Sequence, residues 1–107
     1  MIENIDIERI KNIIVQTVTP DRIYLFGSYA NGTAREDSDY DFYVVVPDDS
    51  DRPATITERI YHALYKQTNK KPVDILVKQF SDFEKRKLLP TIEREIYTKG
   101  IVLYGTR

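Results

Sequence analysis

Apolar residues recur at helical spacing in some stretches of the chain and form continuous runs in others, and the two patterns predict different elements. Helical spacing over residues 5–18 predicts a first helix, which Pro20 ends. Pro53 suits the first turn of a second helix. Ser81 and Glu84 have the spacing of a capping box, in which each side chain bonds a backbone N–H at a helix start, so a further helix is predicted to begin there.

Runs of β-branched and aromatic residues predict the strands. Such runs are present at residues 22–26, 40–46, 72–77 and 101–104. The second run ends at Pro47 and is expected to be a central strand, and the third is expected to be a buried strand. A bend near Pro90 precedes a last helix that ends at Lys99, with Gly100 directly after it at the C′ position. This order of elements predicts an α/β or α+β fold in which helices cover a small sheet.

The composition of the 107-residue chain narrows the class of protein. The length fits a single domain over residues 1–107. The net charge of −1 provides no general positive field for nucleic acid or a membrane, so neither partner is expected. The chain contains no cysteine, which excludes disulfides, thiol nucleophiles and cysteine-based zinc sites. Its first residues lack the apolar core of a signal peptide, so the expected location is the cytoplasm.

The stretch FGSYANGTAREDSDYDFYVVV, residues 26–46, carries the candidate chemistry. Gly27 permits a sharp turn out of the first predicted strand. Ser28 places a hydroxyl at the predicted start of a helical turn, where backbone N–H groups favour an anion such as phosphate. The same residues are also those of an ordinary turn, and an acidic loop of this kind is commonly only solvated.

Paired carboxylates favour the functional interpretation of this stretch. If the chain is extended from residue 39, alternation places Asp39 and Asp41 on one face of the strand. Both are ionised at neutral pH by their reference pKa values, and they repel each other unless a cation lies between them. Asp74 interrupts the third apolar run, where a buried carboxylate needs either a metal or an ion pair. The lysines near it in sequence are Lys70, Lys71 and Lys78.

The ligand chemistry of these acids favours a hard cation. The chain has no cysteine and a single histidine, so its candidate metal ligands are carboxylate oxygens. Such ligands suit Mg²⁺ or Mn²⁺ better than zinc. Two such ions sharing Asp39 and Asp41, about 3.5–4 Å apart, would form the clamp that is used in phosphoryl and nucleotidyl transfer. Asp74 would complete the site.

The segment GSYANGTAREDSDYD contains Gly-Ser, ten further residues and Asp-x-Asp, and it resembles the signature of minimal nucleotidyltransferases in the DNA polymerase β superfamily. The later runs VDILV and GIVLYG also look like that family, so the resemblance covers nearly the whole chain. It implies a mixed sheet flanked by helices, with Asp39 and Asp41 binding two Mg²⁺ ions and Asp74 as third ligand and base. It also implies that Gly27 and Ser28 hold the triphosphate of ATP.

Many relatives of this size are encoded beside a HEPN-domain protein, an RNase toxin. In some of these pairs the nucleotidyltransferase is the antitoxin and moves AMP from ATP onto a tyrosine of its partner, and the resemblance implies the same function here. Many family members carry an arginine before the second glycine of the turn, where this chain has Asn31. Triphosphate binding is therefore expected to use Arg35 or a lysine, and Ser38 is a further expected nucleotide contact.

Two other functions stay open at the level of sequence. One is an antitoxin-like binding module that keeps the fold and neutralises its partner by steric masking, with little catalysis. The other is nucleotidyl transfer to a small molecule or to RNA. The sequence also leaves open the preferred nucleotide, the number of AMP units added and the oligomeric state, a homo-oligomer included.

Overall fold

The computed structural model describes residues 4–66 and 71–105. Within these ranges the chain forms helices and strands in alternation. In chain order they are α1 (Ile5–Thr17), β1 (Arg22–Phe26), α2 (Ser28–Asn31), β2 (Tyr40–Val46), α3 (Pro53–Tyr65), β3 (Val73–Gln79), α4 (Phe80–Arg86), α5 (Ile92–Lys99) and β4 (Ile101–Tyr104). The predicted bounds of β1, β2 and β4 and the predicted start of α3 are confirmed. The first helix ends one residue earlier than predicted, and β3 begins and ends later.

The strands form one mixed sheet in the order β3-β2-β1-β4. β1 runs antiparallel to both β2 and β4, whereas β2 and β3 are parallel. The central position predicted for β2 is confirmed. The prediction that the third strand is buried is wrong, because β3 lies at the edge of the sheet and has a partner on one side only.

Both faces of the sheet are covered by helices. Along β2, Phe42 and its alternate neighbours join a core cluster with α1 and α3, whereas Tyr43 and Val45 join a second cluster that contains Phe83 of α4 and Ile96 of α5. This alternation follows from the two-residue repeat of side chains along a strand. The predicted fold, a small mixed sheet flanked by helices, is confirmed.

Ser81 and Glu84 do not form the predicted capping box. α4 begins directly after β3, so Ser81 lies within its first turn and is not the cap. The Ser81 N–H donates to Oδ1 of Asp48 at 2.9 Å, and Glu84 pairs with Arg22 at 3.2 Å. The capping box is therefore wrong, because another loop supplies the acceptor for the helix start.

Gly100 follows α5 as predicted, but as the cap residue itself, with φ −69° and not a left-handed conformation. Its N–H donates to the carbonyl oxygen of Ile96 at 2.8 Å. A Cβ on Gly100 would lie 3.3 Å from the carbonyl oxygen of Leu25, so glycine serves the close approach of α5 to β1. Across residues 4–66 and 71–105, none of the helices has the length and apolarity that crossing a membrane requires.

Candidate functional site

The turn after β1 requires glycine for its backbone conformation. Gly27 has φ +73°, in the left-handed region that other residues rarely adopt, and it precedes the short helix α2. Its carbonyl oxygen accepts from the N–H groups of Ala30 and Asn31 at 3.0 and 3.1 Å. Gly32, with φ +82°, ends the helix. The predicted sharp turn and helix start are thus present, with Ser28 as the first helical residue.

Gly27 also lies directly against the carboxylate of Asp41. The residue before it, Phe26, pairs with Asp41 across β1 and β2. A Cβ on Gly27 would overlap Oδ2 of the Asp41 carboxylate and would stand only 3.2 Å from its Cγ. The absence of a side chain at Gly27 therefore preserves space beside that carboxylate.

The three predicted acids meet at one end of the sheet. Asp41 pairs in register with Asp74 on the parallel strand β3, so the two side chains stand side by side on the same face. Asp39 precedes β2 by one residue and belongs to the same alternating set as Asp41. The amino ends of β2 and β3 and the carboxyl end of β1 adjoin, which brings Gly27 to the same place.

The electrostatics of the cluster are unfavourable without a cation. Burial raises the pKa of Asp41, and the negative charges of Asp74 and Asp39 raise it further. Asp41 is half-buried, whereas Asp39 and Asp74 are exposed. The carboxylates thus repel one another, as like charges at short range do.

The expectation that Asp74 is buried is wrong, because Asp74 is exposed near the start of β3, which is an edge strand. The ion-pair alternative for Asp74 is not supported by the lysines that the structure describes. Lys71 donates to the hydroxyl of Tyr29, and Lys78 lies 3.9 Å from Asp82. Lys70 lies outside the described residues.

The donor set suits a divalent cation. Carboxylate oxygens are the ligands that Mg²⁺ and Mn²⁺ prefer, and the space beside Gly27 adjoins one of them. Among the residues described, however, no group of three or more histidine, cysteine, aspartate or glutamate side chains has the arrangement of a metal centre. Asp39, Asp41 and Asp74 therefore provide charge and ligand type but not a preformed set of three ligands.

The loop between α2 and β2 holds the remaining predicted contacts. Oγ of Ser38 accepts from the N–H of Arg35 at 2.8 Å, so this hydroxyl already stabilises the loop that leads into Asp39. Arg35 itself is exposed. Oδ1 of Asn31 accepts from the N–H and the hydroxyl of Thr33 at 3.2 and 2.6 Å, and it thereby stabilises the end of α2.

The sequence analysis did not predict a chain of side-chain contacts, here called the brace, that runs through Lys71, Tyr29, Tyr40 and Asp6. Nζ of Lys71 donates to Oη of Tyr29 at 2.6 Å. The rings of Tyr29 and Tyr40 are 4.6 Å apart between centroids, and Oη of Tyr40 donates to Asp6 at 3.2 Å. Tyr29 follows Ser28, and Tyr40 lies between Asp39 and Asp41. The brace thus fixes the turn against the strands, and the sequence offers no signal for it beyond the aromatic residues.

The sequence analysis also did not predict that Glu93 is buried. Glu93 is 2% exposed and accepts from Oη of Tyr43 at 2.8 Å and from Nε of Arg86 at 2.9 Å. Burial raises the pKa of Glu93, but the hydrogen bonds from Arg86 and Tyr43 outweigh it, and the pKa is lowered overall. Burial and the Glu93 carboxylate raise the pKa of Tyr43. In sequence, Glu93 looks like a solvated acid in the first turn of a helix.

The family model for the nucleotidyltransferase domain matches residues 7–103. This chain belongs to that family. The match spans β1, the Gly27–Ser28 turn, Asp39, Asp41 and β3, so the family resemblance inferred from the sequence is confirmed. A comparison with curated proteins finds no match.

Solved structures with the same fold as this nucleotidyltransferase domain include a toxin–antitoxin complex with AMP-PNP. It is 25% identical, with a TM-score of 0.59, and the alignment covers 94% of this chain and 74% of that chain. A Sulfolobus solfataricus protein assigned as a nucleotidyltransferase is 15% identical, with a TM-score of 0.62 and coverage of 92% and 77%. A variant of the MntA–HpeT toxin–antitoxin pair is 20% identical, with a TM-score of 0.59 and coverage of 92% and 72%. The two structures below 25% identity support the fold alone.

Proposed function

We propose that this nucleotidyltransferase is an Mg²⁺-dependent antitoxin that transfers AMP from ATP to a tyrosine hydroxyl of a HEPN-type toxin. The observation that carries the proposal is the in-register pairing of Asp41 with Asp74, beside Asp39 and against the bare backbone of Gly27. Repelling carboxylates at the end of a sheet contribute nothing to packing. They are instead suited to a cation and a phosphate that arrive together.

Two observations support ATP as the nucleotide that the site binds. The toxin–antitoxin structure at 25% identity contains AMP-PNP, an analogue of ATP. In this chain, Gly27 brings backbone close to the acids, and Ser28 begins α2 beside them. Backbone N–H groups and a hydroxyl in such a turn suit phosphate oxygens. Arg35 and a lysine remain the proposed additional contacts to the triphosphate, with Ser38 holding the loop that carries Arg35.

In the proposed reaction, the tyrosine oxygen of the acceptor forms a bond to the α-phosphorus of ATP. The bond from that phosphorus to the oxygen bridging the β-phosphorus breaks, and pyrophosphate leaves. Bound Mg²⁺ ions, held by Asp39, Asp41 and Asp74, would supply positive charge to the phosphates. Asp74 would accept the proton of the tyrosine hydroxyl, and Ser28 would orient the phosphates. The Tyr29–Tyr40 contact keeps the turn and the acids in fixed relation during this step.

The acceptor is proposed to be a protein because of where Asp74 lies. Asp74 is exposed on the edge strand β3, and Leu76 on the same face of that strand is 41% exposed. A tyrosine on a macromolecular partner can therefore reach this edge without displacing any described helix. The toxin–antitoxin context of the structural relative supports a toxin as that partner.

Steric masking with little catalysis is the second candidate function. It is favoured by the lack of a preformed group of three metal ligands among residues 4–66 and 71–105. It is also favoured by Asn31, whose side-chain Oδ1 accepts from Thr33 and which stands where many family members carry an arginine.

The experiment that separates the two functions uses the proposed partner, a HEPN-type toxin. A small amount of the nucleotidyltransferase is incubated with ATP, Mg²⁺ and a molar excess of that protein, and the partner is analysed by intact-protein mass spectrometry. We expect an AMP adduct on a tyrosine of most partner molecules, and its loss with Asp41→Asn. Asp49→Asn, an exposed acid of the β2–α3 loop, is the matched control and keeps the adduct.

The opposite pattern would support masking. Inhibition of the partner would then need equal amounts of the two proteins, would survive Asp41→Asn, and would end when the complex is separated. Absence of any ATP-dependent adduct on the partner would contradict the transferase proposal.

A further inference from the structure

The outer edge of β3 presents backbone groups that no other strand of the described sheet uses, because β3 is paired on one side only, with β2. The N–H of Tyr40 on β2 donates to the carbonyl oxygen of Pro72 at 3.0 Å, so the backbone groups of the even-numbered residues of β3 point to β2. Those of the odd-numbered residues point outward. The N–H of Ile75 accordingly donates to Oη of Tyr61 at 2.9 Å and not to a strand. An edge of this kind can accept a further strand.

The side chains on one face of β3 form a short row of acid, apolar residue and base. Asp74, Leu76 and Lys78 alternate along the strand, on the same face as Asp41 of β2. Asp74 is exposed, and the exposed fraction is 41% for Leu76 and 41% for the Lys78 side chain. Lys78 lies 3.9 Å from Asp82, too far for a hydrogen bond, so its ammonium group is not committed to that partner. The row is therefore accessible, and its charge changes sign from one end to the other.

This row is complementary to a second copy of itself that runs in the opposite direction. In a two-fold antiparallel pair, outward-pointing residues lie opposite one another, and registers centred on Ile75, Leu76 or Val77 meet this condition. The register centred on Leu76 places Leu76 opposite Leu76, and Asp74 opposite Lys78 of the second copy. The register centred on Ile75 places Asp74 opposite Leu76, and the register centred on Val77 places Lys78 opposite Leu76. Charge and apolar contact therefore select the register centred on Leu76.

We propose that two copies of this chain associate through β3, antiparallel and centred on Leu76, so that two four-stranded sheets become one continuous sheet. Opposite charges and apolar side chains that face each other across two strands stabilise such a pair. Tyr61 is 40% exposed, and its hydroxyl leaves the N–H of Ile75, which then donates to the carbonyl oxygen of Val77 of the second copy. Because this N–H has an acceptor in both states, the association exchanges one hydrogen bond for another and is reversible.

The paired form closes the acceptor side of the proposed site. Asp74, the proposed third ligand and base, then lies beside Lys78 of the second copy, and the edge of β3 is no longer open to a macromolecule. The paired chain is therefore a resting form, and a protein acceptor competes with the second copy for the same edge. This consequence rests on the proposed function, whereas the pairing itself does not.

Sedimentation velocity of the full chain over a range of concentrations, in EDTA and without nucleotide, tests the pairing independently of the proposed function. We expect the wild type to be in a monomer–dimer equilibrium. Lys78→Glu should weaken the dimer at least about tenfold, because both symmetric pairs become pairs of like charges. Asp74→Lys should weaken it to a similar extent, and the double variant that carries both substitutions should restore it. Lys99→Glu is the matched control, because Lys99 ends α5 just before β4, the strand at the opposite edge of the sheet.

A wild type that stays monomeric at every concentration would overturn the proposal. A dimer that Lys78→Glu leaves unchanged, or a double variant that fails to restore the dimer, would overturn it as well.

The resting role is tested in the AMP-transfer assay, at a concentration where the wild type is dimeric. Lys78→Glu should then modify the partner faster than the wild type, by the ratio of the two monomer concentrations. An equal rate would overturn the resting role and leave the dimer standing. An adduct from neither protein would contradict the proposed function instead.

Discussion

At Asp41, burial and two like charges act on one carboxyl group. Burial raises its pKa first, and Asp74 and Asp39 raise it further. An acid whose pKa is raised in the folded state destabilises that state once it ionises, so stability is lost as pH rises through the raised pKa. The cluster therefore carries a cost in the absence of a cation, as sites selected for function commonly do.

The first prediction at this scale concerns the metal-free protein. Asp41→Asn keeps the shape of the side chain and removes one of the repelling charges, so the melting temperature without Mg²⁺ should stay equal or rise by roughly a few °C. The melting temperature is measured by circular dichroism, with Asp39→Asn beside it and Asp49→Asn as the control. A clear fall in the melting temperature for both site variants, but not for Asp49→Asn, would show that the acids are structural.

The sequence pattern predicts part of the acid cluster of Asp39, Asp41 and Asp74 but not all of it. Alternation along an extended segment predicts Asp39 and Asp41 on one face, and in the structure Asp39 lies close enough for its charge to raise the pKa of Asp41. The pairing of Asp41 with Asp74 depends on the register between parallel strands joined through α3, and no local pattern sets that register. The exposure of Asp74 depends on strand order, which is likewise decided by the packing of the whole sheet.

At the scale of elements, α5 is held against the sheet by a buried carboxylate. Glu93 of α5 accepts from Tyr43 of β2 and from Arg86 at the end of α4. This network ties three elements together on the face of β2 that also carries Asp41. Because a buried charge is costly unless it is paired, the network depends on all three members.

Replacing the buried acid should lower stability in a pH-dependent way. Glu93→Gln should reduce the free energy of unfolding at neutral pH by about 1.5–3 kcal/mol, since a charge-assisted buried pair is lost. The pKa of Glu93 is lowered from its ordinary value of 4.5 in the folded protein. The stabilisation is therefore complete above pH 4.5 and is lost as the pH falls through the lower folded pKa. The free energies of unfolding of the wild type and Glu93→Gln should therefore converge in acid.

Urea unfolding across this pH range measures the effect on stability. Glu95→Gln is the matched control, an exposed acid on the same helix whose pair with Lys99 should contribute a few tenths of a kcal/mol at most, roughly the value for surface pairs. A difference between wild type and Glu93→Gln that stayed constant with pH would contradict this account of the network.

The sequence pattern predicted helices and strands correctly where local rules determine the element. Strand composition and the prolines marked β1, β2, β4 and the start of α3. It failed at α4, because the acceptor for the helix start comes from Asp48 in a distant loop. It also could not find the buried Glu93, whose partners are distant in sequence and are set by tertiary packing.

At the scale of the whole molecule, the site lies at one end of a sheet that is covered on both faces. The turn after β1, the start of β2 and the start of β3 converge there, each supplied by a different part of the chain. Asp74 is exposed at this end, on the edge strand β3. The proposed protein acceptor would approach the site along this strand.

The central claim is that the three carboxylates form a cation-dependent nucleotide site. Calorimetric titration of AMP-PNP into the full chain, once with Mg²⁺ and once with EDTA, tests it most directly. We predict binding at least about tenfold tighter with Mg²⁺, and we predict that Asp41→Asn in Mg²⁺ falls to the EDTA level while Asp49→Asn does not. Equal affinity of the wild type with and without Mg²⁺ would contradict the claim.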